Sequence, residues 1–278
     1  MWVARTGIIS SSRSYSSLLL DTYSGASAAY SLRKLRTAYT GNSIRVRRLS
    51  DNASLDIGFL NNNLDTATLL TFIGSSQGLV SIFYDQSGNS NDLIQNTGGN
   101  QPIIVSSGGI LVNVNGKPSI YFNGNNSTIV GSSSVITNNF GVFSVAKSVS
   151  GKDGLLFAQY SQFDANRTLF SIEDSTNQVV GFQAGSYIGK TGTITNNQKI
   201  YYYNRNGSSV EISDNNSTPQ TGTNSTSLQN SPIRLGSFVS GSTTYTEQYI
   251  QEIVIYNSSK STDKNGIITN INSHYNTF

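Results

Sequence analysis

The stretch that decides the fold is KIYYYNRNGSSVEIS, residues 199–213. Asn206-Gly207 stands between two runs in which apolar and polar side chains alternate. An Asn-Gly pair accepts the positive φ angles of a tight turn, and alternation places successive side chains on opposite faces of a strand. The stretch therefore predicts a β-hairpin whose tyrosines, Tyr201 to Tyr203, are divided between the two faces of a sheet.

Strand-like runs of the same kind recur along most of the chain. They begin at residue 44 and then cover residues 79–84, 102–105, 110–114, 119–122, 128–131, 141–149, 154–159, 167–172, 178–184, 199–205, 209–213, 232–238 and 248–256. Turn-forming pairs such as Asn115-Gly116 and Asn123-Gly124 lie between them. Many short strands at regular spacing are typical of β-sandwiches. The sequence therefore predicts an all-β fold with two antiparallel sheets.

Two helices are expected beside the strands. Apolar residues recur at helical spacing over residues 27–39, after a possible cap at Ser27, and again over residues 267–275, after Ser261 to Lys264. The chain is assigned to one domain over residues 21–278. Residues 1–20 are rich in serine and are expected to form an arm.

The composition excludes several kinds of site. Cysteine is absent, so no disulfide and no thiolate metal site can form. His274 is the single histidine, which excludes a histidine-rich zinc site and leaves a Ser-His-Asp triad dependent on that residue. The 15 tyrosines and 12 phenylalanines argue for a folded chain, although only 12% of the residues are charged. We expect neither a metal nor a cofactor.

Nucleic acid and membrane are not expected partners. The net charge is +3, and the basic residues concentrate over residues 33–48. No nucleic-acid-binding module accompanies them, so pairing with Asp51, Asp56 and Asp85 is expected instead. The sequence contains no run of about 20 apolar residues. Its first nine residues lack the charged start and the apolar core of about 7–15 residues that mark a secretory signal.

Two blocks carry a resemblance to known families. The first contains Leu32-Arg33-Lys34-Leu35, Ile44-Arg45-Val46-Arg47-Arg48 and Asp56-Ile57-Gly58-Phe59, and the second is Tyr84-Asp85-Gln86-Ser87-Gly88-Asn89-Ser90-Asn91-Asp92-Leu93. Over about residues 21–105 the chain resembles the catalytic domain of family-54 arabinofuranosidases of the B type, and equally a domain of phage virion proteins. The closing run Ile250–Asn257 resembles laminin-G-like sandwiches. The resemblance implies a concanavalin-like or laminin-G-like jelly roll.

The second block has two physical interpretations. Its side-chain oxygens alternate as they do in calcium loops, but Gly88 comes one position early and no bidentate glutamate follows. The favoured interpretation is a turn stapled by side chains, in which Asp85 bonds backbone amides or an arginine of the 45–48 strand. The predicted structural residues are Arg45, Arg47, Arg48, Tyr84, Asp85, Gln86, Ser87, Gly88, Asn89 and Asp92.

The resemblance also provides a test for catalysis. It implies two catalytic residues. One is a nucleophilic Glu on a mid-chain strand, and the other is an Asp that acts as the general acid, shortly after a Leu-Gly pair near the end of the chain. The matching pair is Leu235-Gly236, but Ser240 stands about where the acid is expected, and Glu173 looks like part of a hairpin turn. A retaining glycosidase needs two carboxyls about 5–5.5 Å apart. The catalytic pair is therefore not carried over, and no catalytic residue is predicted.

Without a catalytic pair, carbohydrate binding is the function that the sequence favours. Sandwiches of this kind can stack aromatic rings on sugars and pair their hydroxyls with amides. The candidate carbohydrate-binding residues are Tyr160, Phe163, Phe182, Tyr187, Tyr245, Gln159 and Asn166. The competing interpretation is that most of these aromatic side chains fill the core.

We therefore expect a non-enzymatic structural protein of a phage virion, assembled in the host cytoplasm, that binds a carbohydrate or another host-surface group. It would be a head fibre, a capsid decoration or a tail-associated protein. The alternatives are an arabinofuranosidase-like glycoside hydrolase and a bacterial surface adhesin. Residues 1–19 are expected to dock on other virion proteins or on a neighbouring copy in a homo-oligomer, because their apolar residues mark a contact. Deleting residues 2–19 would then abolish assembly and leave the sandwich folded.

Overall fold

The β-hairpin predicted over residues 199–213 is present. A computed structural model describes residues 17–159, 168–173, 177–183, 186–191, 197–228, 230–238 and 245–278. In it Lys199–Asn206 pairs with Ser209–Asp214, and Asn206 stands opposite Ser209. The turn residues are Gly207 and Ser208, one position later than predicted. Gly207 has a positive φ of 60°, which glycine accepts at the first position of such a turn.

The strands of the first half of the chain are short. They are β1 (Ala26–Ser31), β2 (Ile44–Arg48), β3 (Ser54–Ile57), β4 (Phe59–Leu60), β5 (Asn63–Leu64), β6 (Gly78–Phe83), β7 (Leu93–Ile94), β8 (Ile103–Ser106), β9 (Ile110–Leu111), β10 (Asn113–Val114), β11 (Lys117–Pro118), β12 (Ile120–Asn123) and β13 (Ile129–Val130). Asn115 and Gly116 join β10 to β11 with positive φ angles of 51° and 72°, as an Asn-Gly turn requires.

The strands of the second half are longer and form the body of the fold. They are β14 (Phe140–Ser148), β15 (Gly154–Gln159), β16 (Thr168–Glu173), β17 (Gln178–Gln183), β18 (Ser186–Thr191), β19 (Lys199–Asn206), β20 (Ser209–Asp214), β21 (Gln220–Thr223), β22 (Ile233–Leu235) and β23 (Glu247–Tyr256).

Three α-helices and one short 3₁₀ turn accompany the strands within the described residues. They are α1 (Leu19–Thr22), α2 (Thr66–Ile73) and α3 (Lys264–Tyr275), with the 3₁₀ turn at Gly98–Asn100. The C-terminal helix confirms the prediction from the spacing of Ile267, Ile268 and Ile271. Of these helices, none has both the length and the apolar character that crossing a membrane would need.

Antiparallel pairing arranges most strands in two layers. The first layer runs from β23, which pairs with both β1 and β12, through β14, β19 and β20 to β21. The second runs from β13 through β22, β15, β16 and β17 to β18. Pairing through β7, β6, β8 and β12 joins the layers on one side. On the other side β18 and β21 come into contact. The fold is a large antiparallel sheet curled nearly closed, and the predicted sandwich is confirmed.

The core lies between the layers and combines many aliphatic side chains with a smaller set of buried aromatic rings. Phe140 and Phe170 contact Tyr203 with ring centroids 4.9 and 5.5 Å away. Tyr202 points to the other face, where α3 covers it together with Phe143. The tyrosine run is therefore split between the two faces as predicted, and all three rings are buried.

The predicted helix over residues 27–39 is wrong. Residues Ala26–Ser31 form β1, which pairs antiparallel with β23, and Tyr30 stands opposite Ile253. Ala28 and Tyr30 contact the inner core, while Ala29 lies in the cluster under α3. The pairing with β23, more than 200 residues away, outweighs the local helical spacing.

The start of the described chain is packed. Leu19 and Leu20, which the sequence assigns to the arm, are buried in the cluster under α3. Ser17 accepts a hydrogen bond from Asn270 of α3 through its carbonyl oxygen, 2.9 Å away. The described packing thus reaches at least to Ser17, and residues 1–16 lie outside the described residues.

Candidate functional site

A crevice lies where β18 of one layer meets β21 of the other. Its volume is about 200 Å³, and its lining includes Tyr187 of β18, Tyr203 of β19 and the stretch Gln220 to Asn224. These groups come together because the sheet is curled and its two outermost strands face each other. A concave site with a few convergent polar groups is a common form of small-molecule site, and this one is smaller than the volume of about 300–1,000 Å³ that is usual for drug-sized ligands.

Tyr187 forms the exposed wall of the crevice. Its side chain is 51% exposed, and its hydroxyl donates a hydrogen bond to Oε1 of Gln178 on β17. A Cβ atom added at Gly189 would lie 2.2 Å from Gln178 Oε1 and 3.0 Å from the Tyr187 ring. The ring therefore lies beside Gly189, where a larger residue would crowd both the ring and the Gln178 amide. This arrangement fixes the ring while half of it faces solvent.

The opposite wall consists of uncharged polar groups. Gln220, Thr221 and Thr223 are exposed on β21, and Asn224 beyond it is buried. Amides and hydroxyls both donate and accept hydrogen bonds. The described residues that line the crevice carry no charge. This wall therefore suits a neutral ligand rich in hydroxyl groups.

The floor of the crevice is fixed by a second close approach. A Cβ atom added at Gly181 of β17 would lie 2.7 Å from the ring of Tyr203. Tyr203 is only 1% exposed, and burial raises its pKa well above the ordinary value of 10.0. Its hydroxyl therefore stays neutral, and the floor adds no charge.

The other predicted carbohydrate-binding residues have different positions. Phe182 stands opposite Tyr187 in the β17–β18 register. Tyr245 is half-buried, forms an isolated bridge with Ser237 and does not line the crevice. Tyr160, Phe163 and Asn166 lie outside the described residues.

Gln159 does not face a ligand. It is fully buried, and its Oε1 accepts hydrogen bonds from the backbone N–H groups of Val135 and Ile136, at 3.0 and 3.2 Å. Its Nε2 donates to the Ile136 carbonyl. The prediction that Gln159 contacts sugar is corrected, because its amide is used to hold this loop.

The run around Asp85 is a stapled turn. The Asp85 carboxylate is 4% exposed and accepts hydrogen bonds from the N–H groups of Ala29, Ser87 and Asn91, at 2.8, 2.8 and 3.0 Å. The Ser87 hydroxyl donates to it as well, at 2.7 Å, and Asp92 accepts from the Asp85 N–H. Hydrogen-bond donors, rather than oxygen ligands, surround this carboxylate. Within the part of the chain that the structure describes, no cluster of at least three His, Cys, Asp or Glu side chains could hold a metal ion.

The neighbouring residues of the run support the same turn. Gln86 is fully buried, accepts a hydrogen bond from the Leu35 N–H and donates to the carbonyls of Ser31 and Arg33. Gly88 has a positive φ of 96° beside the Arg36 guanidinium. The run thus ties β1 and the segment after it to β6.

The arginines of the 45–48 strand do not pair with Asp85. Arg45 forms a two-point ion pair with Asp56, and both N···O distances are 2.7 Å. This hydrogen-bonded pair lowers the pKa of Asp56. Arg48 pairs with Asp51 at 2.6 Å and lowers its pKa to about 2. The expected pairing of this strand with acids is confirmed for Asp51 and Asp56 and wrong for Asp85.

Arg47 and Tyr84 also belong to the predicted structural set. Arg47 donates to Gln101 Oε1, Asn52 Oδ1 and the Gly98 carbonyl. The Tyr84 hydroxyl donates to Asp56 Oδ1 at 2.8 Å, beside Arg45. Both residues are engaged in contacts that hold strands and loops together.

Two comparisons relate this chain to arabinofuranosidases. The family profile described as the catalytic domain of α-L-arabinofuranosidase B matches residues 21–130. An arabinofuranosidase solved with arabinofuranosyl-α-1,2-xylobiose superposes with a TM-score of 0.73 at 16% identity over 91% of this chain. A family-54 α-L-arabinofuranosidase soaked with a cyclic sulfate inhibitor gives 0.73 at 15% identity over the same share. The chain has the arabinofuranosidase fold.

The match has clear limits. The chain spans 64% of the length of each of these two solved arabinofuranosidases. A search of curated proteins by sequence gave no match. At this level of identity the likeness concerns the fold.

Retaining glycoside hydrolysis needs two carboxyls close together, so the positions of the carboxylates bear on that activity. Glu173 ends β16 and pairs with Gln178 across a hairpin, as its sequence context predicted. Gly154 pairs with Ile172, so Asp153 and Glu173 occupy neighbouring positions at the end of the β15–β16 pair. Ser240, where the resemblance places the acid, lies outside the described residues.

The Leu235-Gly236 pair has a packing role. Gly236 has a positive φ of 83°, and a Cβ atom added there would lie 2.2 Å from the Phe122 ring. Only glycine fits between this backbone and the core.

The wall formed by residues 220–224 is the part of the candidate site that the sequence did not indicate, since it lies within a stretch that looks like a polar loop.

Proposed function

We propose that this chain is a saccharide-binding domain built on the arabinofuranosidase fold. The observation that carries the proposal is the crevice between β18 and β21, in which a fixed and half-exposed tyrosine faces a wall of amides and hydroxyls. An aromatic ring offers an apolar face to the C–H groups of a sugar, while the opposite wall offers hydrogen bonds to its hydroxyls. The fold likeness to arabinofuranosidases supports the ligand class.

Replacing Tyr187 by alanine is expected to weaken saccharide binding about tenfold, because covering the exposed half of the ring is worth about half of the roughly 1.5–3 kcal/mol gained by burying a large apolar side chain. Titration calorimetry with neutral oligosaccharides, arabinofuranosyl-α-1,2-xylobiose among them, measures the change. Tyr187→Phe keeps the ring and is expected to retain most of the affinity. Leu60→Ala removes another exposed apolar side chain, 57% exposed on β4, and serves as the control. Unchanged affinity in Tyr187→Ala would exclude the crevice as the site.

Glycoside hydrolysis is the second candidate function. It is favoured by the family match over residues 21–130 and by the neighbouring positions of Asp153 and Glu173. Retaining enzymes need two carboxyls about 5–5.5 Å apart, one as nucleophile and one as acid. We propose that this pair does not act in that way, because Glu173 belongs to a hairpin end and the sequence has Ser240 about where the resemblance places the acid.

The chain is therefore expected not to hydrolyse 4-nitrophenyl α-L-arabinofuranoside. Release of 4-nitrophenol from the wild type should equal that from Glu173→Gln and Asp153→Asn, which remove the two carboxylates one at a time. Turnover by the wild type that disappears in Glu173→Gln would establish the enzyme and would make this residue its nucleophile.

The biological setting is proposed from the sequence resemblance alone. The run from Tyr84 to Leu93 resembles phage virion proteins, and we propose that the domain acts on a virion surface with its saccharide on the host. The proposed attachment through residues 1–19 concerns residues that lie largely outside the described ones. It stays a prediction. Deleting residues 2–16, which spares Ser17 and the buried Leu19, and measuring the molecular mass in solution tests it.

A further inference from the structure

A second concave surface lies at another part of the molecule and is larger than the crevice. This groove has a volume of about 600 Å³ and is bordered by the Asp85 turn, the loop after β13 and the segment before β22. Its polar lining is dominated by five asparagines: Asn89, Asn91, Asn138, Asn230 and Asn257. Volumes of about 300–1,000 Å³ are usual for ligand sites.

In four of these asparagines, one end of the side-chain amide, either Nδ2 or Oδ1, is hydrogen-bonded to the backbone. Asn89 and Asn91 donate through Nδ2 to the Ser27 carbonyl, at 3.1 and 2.9 Å. Asn138 accepts through Oδ1 from the Leu228 N–H at 3.0 Å, and Asn257 accepts from the Thr137 N–H at 2.7 Å. Among the described residues, the other half of each amide has no protein partner. The groove therefore presents two fixed carbonyl acceptors and two fixed amide donors.

The backbone behind these amides is also fixed. Asn89 and Asn91 belong to the turn that Asp85 staples, and the Ser27 hydroxyl donates to the Val135 carbonyl at 2.6 Å. Gln159 holds the N–H groups of Val135 and Ile136 from below. A ligand that bonds these groups would not have to order them first, which preserves binding free energy.

The chemistry of the lining selects the ligand class. Every described residue that lines the groove is uncharged, so the lining offers no opposite charge to a phosphate or to a charged peptide. Among the apolar residues that line the groove, Val135 and Ile136 are only 4 and 3% exposed, and Leu228 is half-buried. An apolar side chain of a partner would find little to bind. Fixed donors and acceptors in an uncharged groove match a ligand that carries many hydroxyls.

We propose that this groove is a second saccharide site, which binds a neutral oligosaccharide through Asn89, Asn91, Asn138 and Asn257. The ligand class rests on the proposed function, but the site is separate from the Tyr187 crevice. The segment after β21 links the two, since Asn224 lines the crevice and Ser227 lines the groove. The proposal also gives the Asp85 run a role, because that run positions two of the four amides.

The test uses Asn138→Asp and Asn257→Asp. Each keeps the Oδ1 that accepts the backbone hydrogen bond and replaces the open Nδ2 donor by a charged oxygen. Asn139→Asp is the matched control, because Asn139 is exposed, accepts the Gly207 N–H at 2.7 Å through Oδ1 and does not line the groove. Asn230→Asp adds a groove variant at a residue that is exposed. Thermal unfolding of all variants identifies any that lose the fold.

Calorimetry with neutral linear arabino-, xylo-, manno- and gluco-oligosaccharides of three to six rings measures the outcome. Each groove variant is expected to lose about tenfold in affinity, while Asn139→Asp binds as the wild type does. If affinity falls only in Tyr187→Ala and stays unchanged in the groove variants, the saccharide-binding function stands and the groove proposal is overturned. If no oligosaccharide binds the wild type, both proposals are overturned.

Discussion

Replacing Arg33 by methionine is expected to destabilise the protein by about 3–5 kcal/mol, because the change leaves a buried carboxylate without its partner. Glu252 of β23 is fully buried, and the Arg33 side chain is 7% exposed. The guanidinium donates to both carboxylate oxygens, at 2.7 and 2.9 Å, and the Ser31 hydroxyl donates to one of them at 2.7 Å. Denaturant unfolding measures the free-energy difference.

Two further variants separate the charge from the packing. Arg33→Met combined with Glu252→Leu removes both charges and is expected to recover most of the lost stability, since a buried pair contributes little beyond apolar packing. Arg45→Met breaks a pair whose side chains are 43 and 30% exposed, and its effect should be much smaller. A double variant as unstable as Arg33→Met alone would mean that packing of the arginine, and not its charge, is what matters.

The same pair gives a pH dependence of stability. Burial opposes ionisation of Glu252, but the charge and hydrogen bonds of Arg33, with that of Ser31, outweigh it and lower the pKa below the ordinary value of 4.5. A carboxyl whose pKa is lower in the folded state stabilises the fold above its unfolded pKa. That contribution is lost as the pH falls through the lower folded pKa. Wild-type stability should therefore fall below about pH 4.5, and this contribution should be absent from Arg33→Met.

The parts of the fold that follow from local signals could be predicted from sequence. The 199–213 hairpin has turn residues between two alternating runs, and α3 has a helical repeat of isoleucines. The helix predicted over residues 27–39 rests on the helical spacing of Ala28, Leu32 and Leu35, but residues Ala26–Ser31 form β1. Its pairing partner β23 is far away in sequence, and no local pattern reports that contact.

The candidate site could be predicted only in part. Tyr187 was identified from its residue type, but its partner wall on β21 reads Gln-Thr-Gly-Thr and has no apolar alternation that would indicate a strand. The crevice exists because the sheet curls until β18 meets β21, which depends on the whole of both layers. The prediction for Gln159 is wrong although the residue type suits a sugar site. Its amide faces inward and bonds the backbone of Val135 and Ile136, and the residue type alone does not report which way a side chain faces.

Replacing Asp85 by alanine is expected to destabilise the protein by about 3–5 kcal/mol, since buried donors that lose their acceptor cost about 1–3 kcal/mol each. The Ala29 N–H, which belongs to β1, is the most buried of the donors that this carboxylate accepts. Asp85→Asn keeps one acceptor oxygen and should lose less. The loss is measured by denaturant unfolding in EDTA and again in calcium, and the two values should agree, because the carboxylate oxygens are occupied by N–H and O–H donors.

Asp21→Ala provides the control for loss of a carboxylate staple at the surface. Asp21 is exposed and accepts hydrogen bonds from the N–H and hydroxyl of Thr37, so water can replace it and the loss should be small.

The Asp85 variants should also bind oligosaccharide less well in the Asn-lined groove, because Asn91 is held by the Asp85 carboxylate through its own N–H. A wild-type melting temperature that falls by several degrees in EDTA alone would instead establish a calcium site in this turn. In that case the hydrogen bonds to Asp85 would describe only its metal-free form.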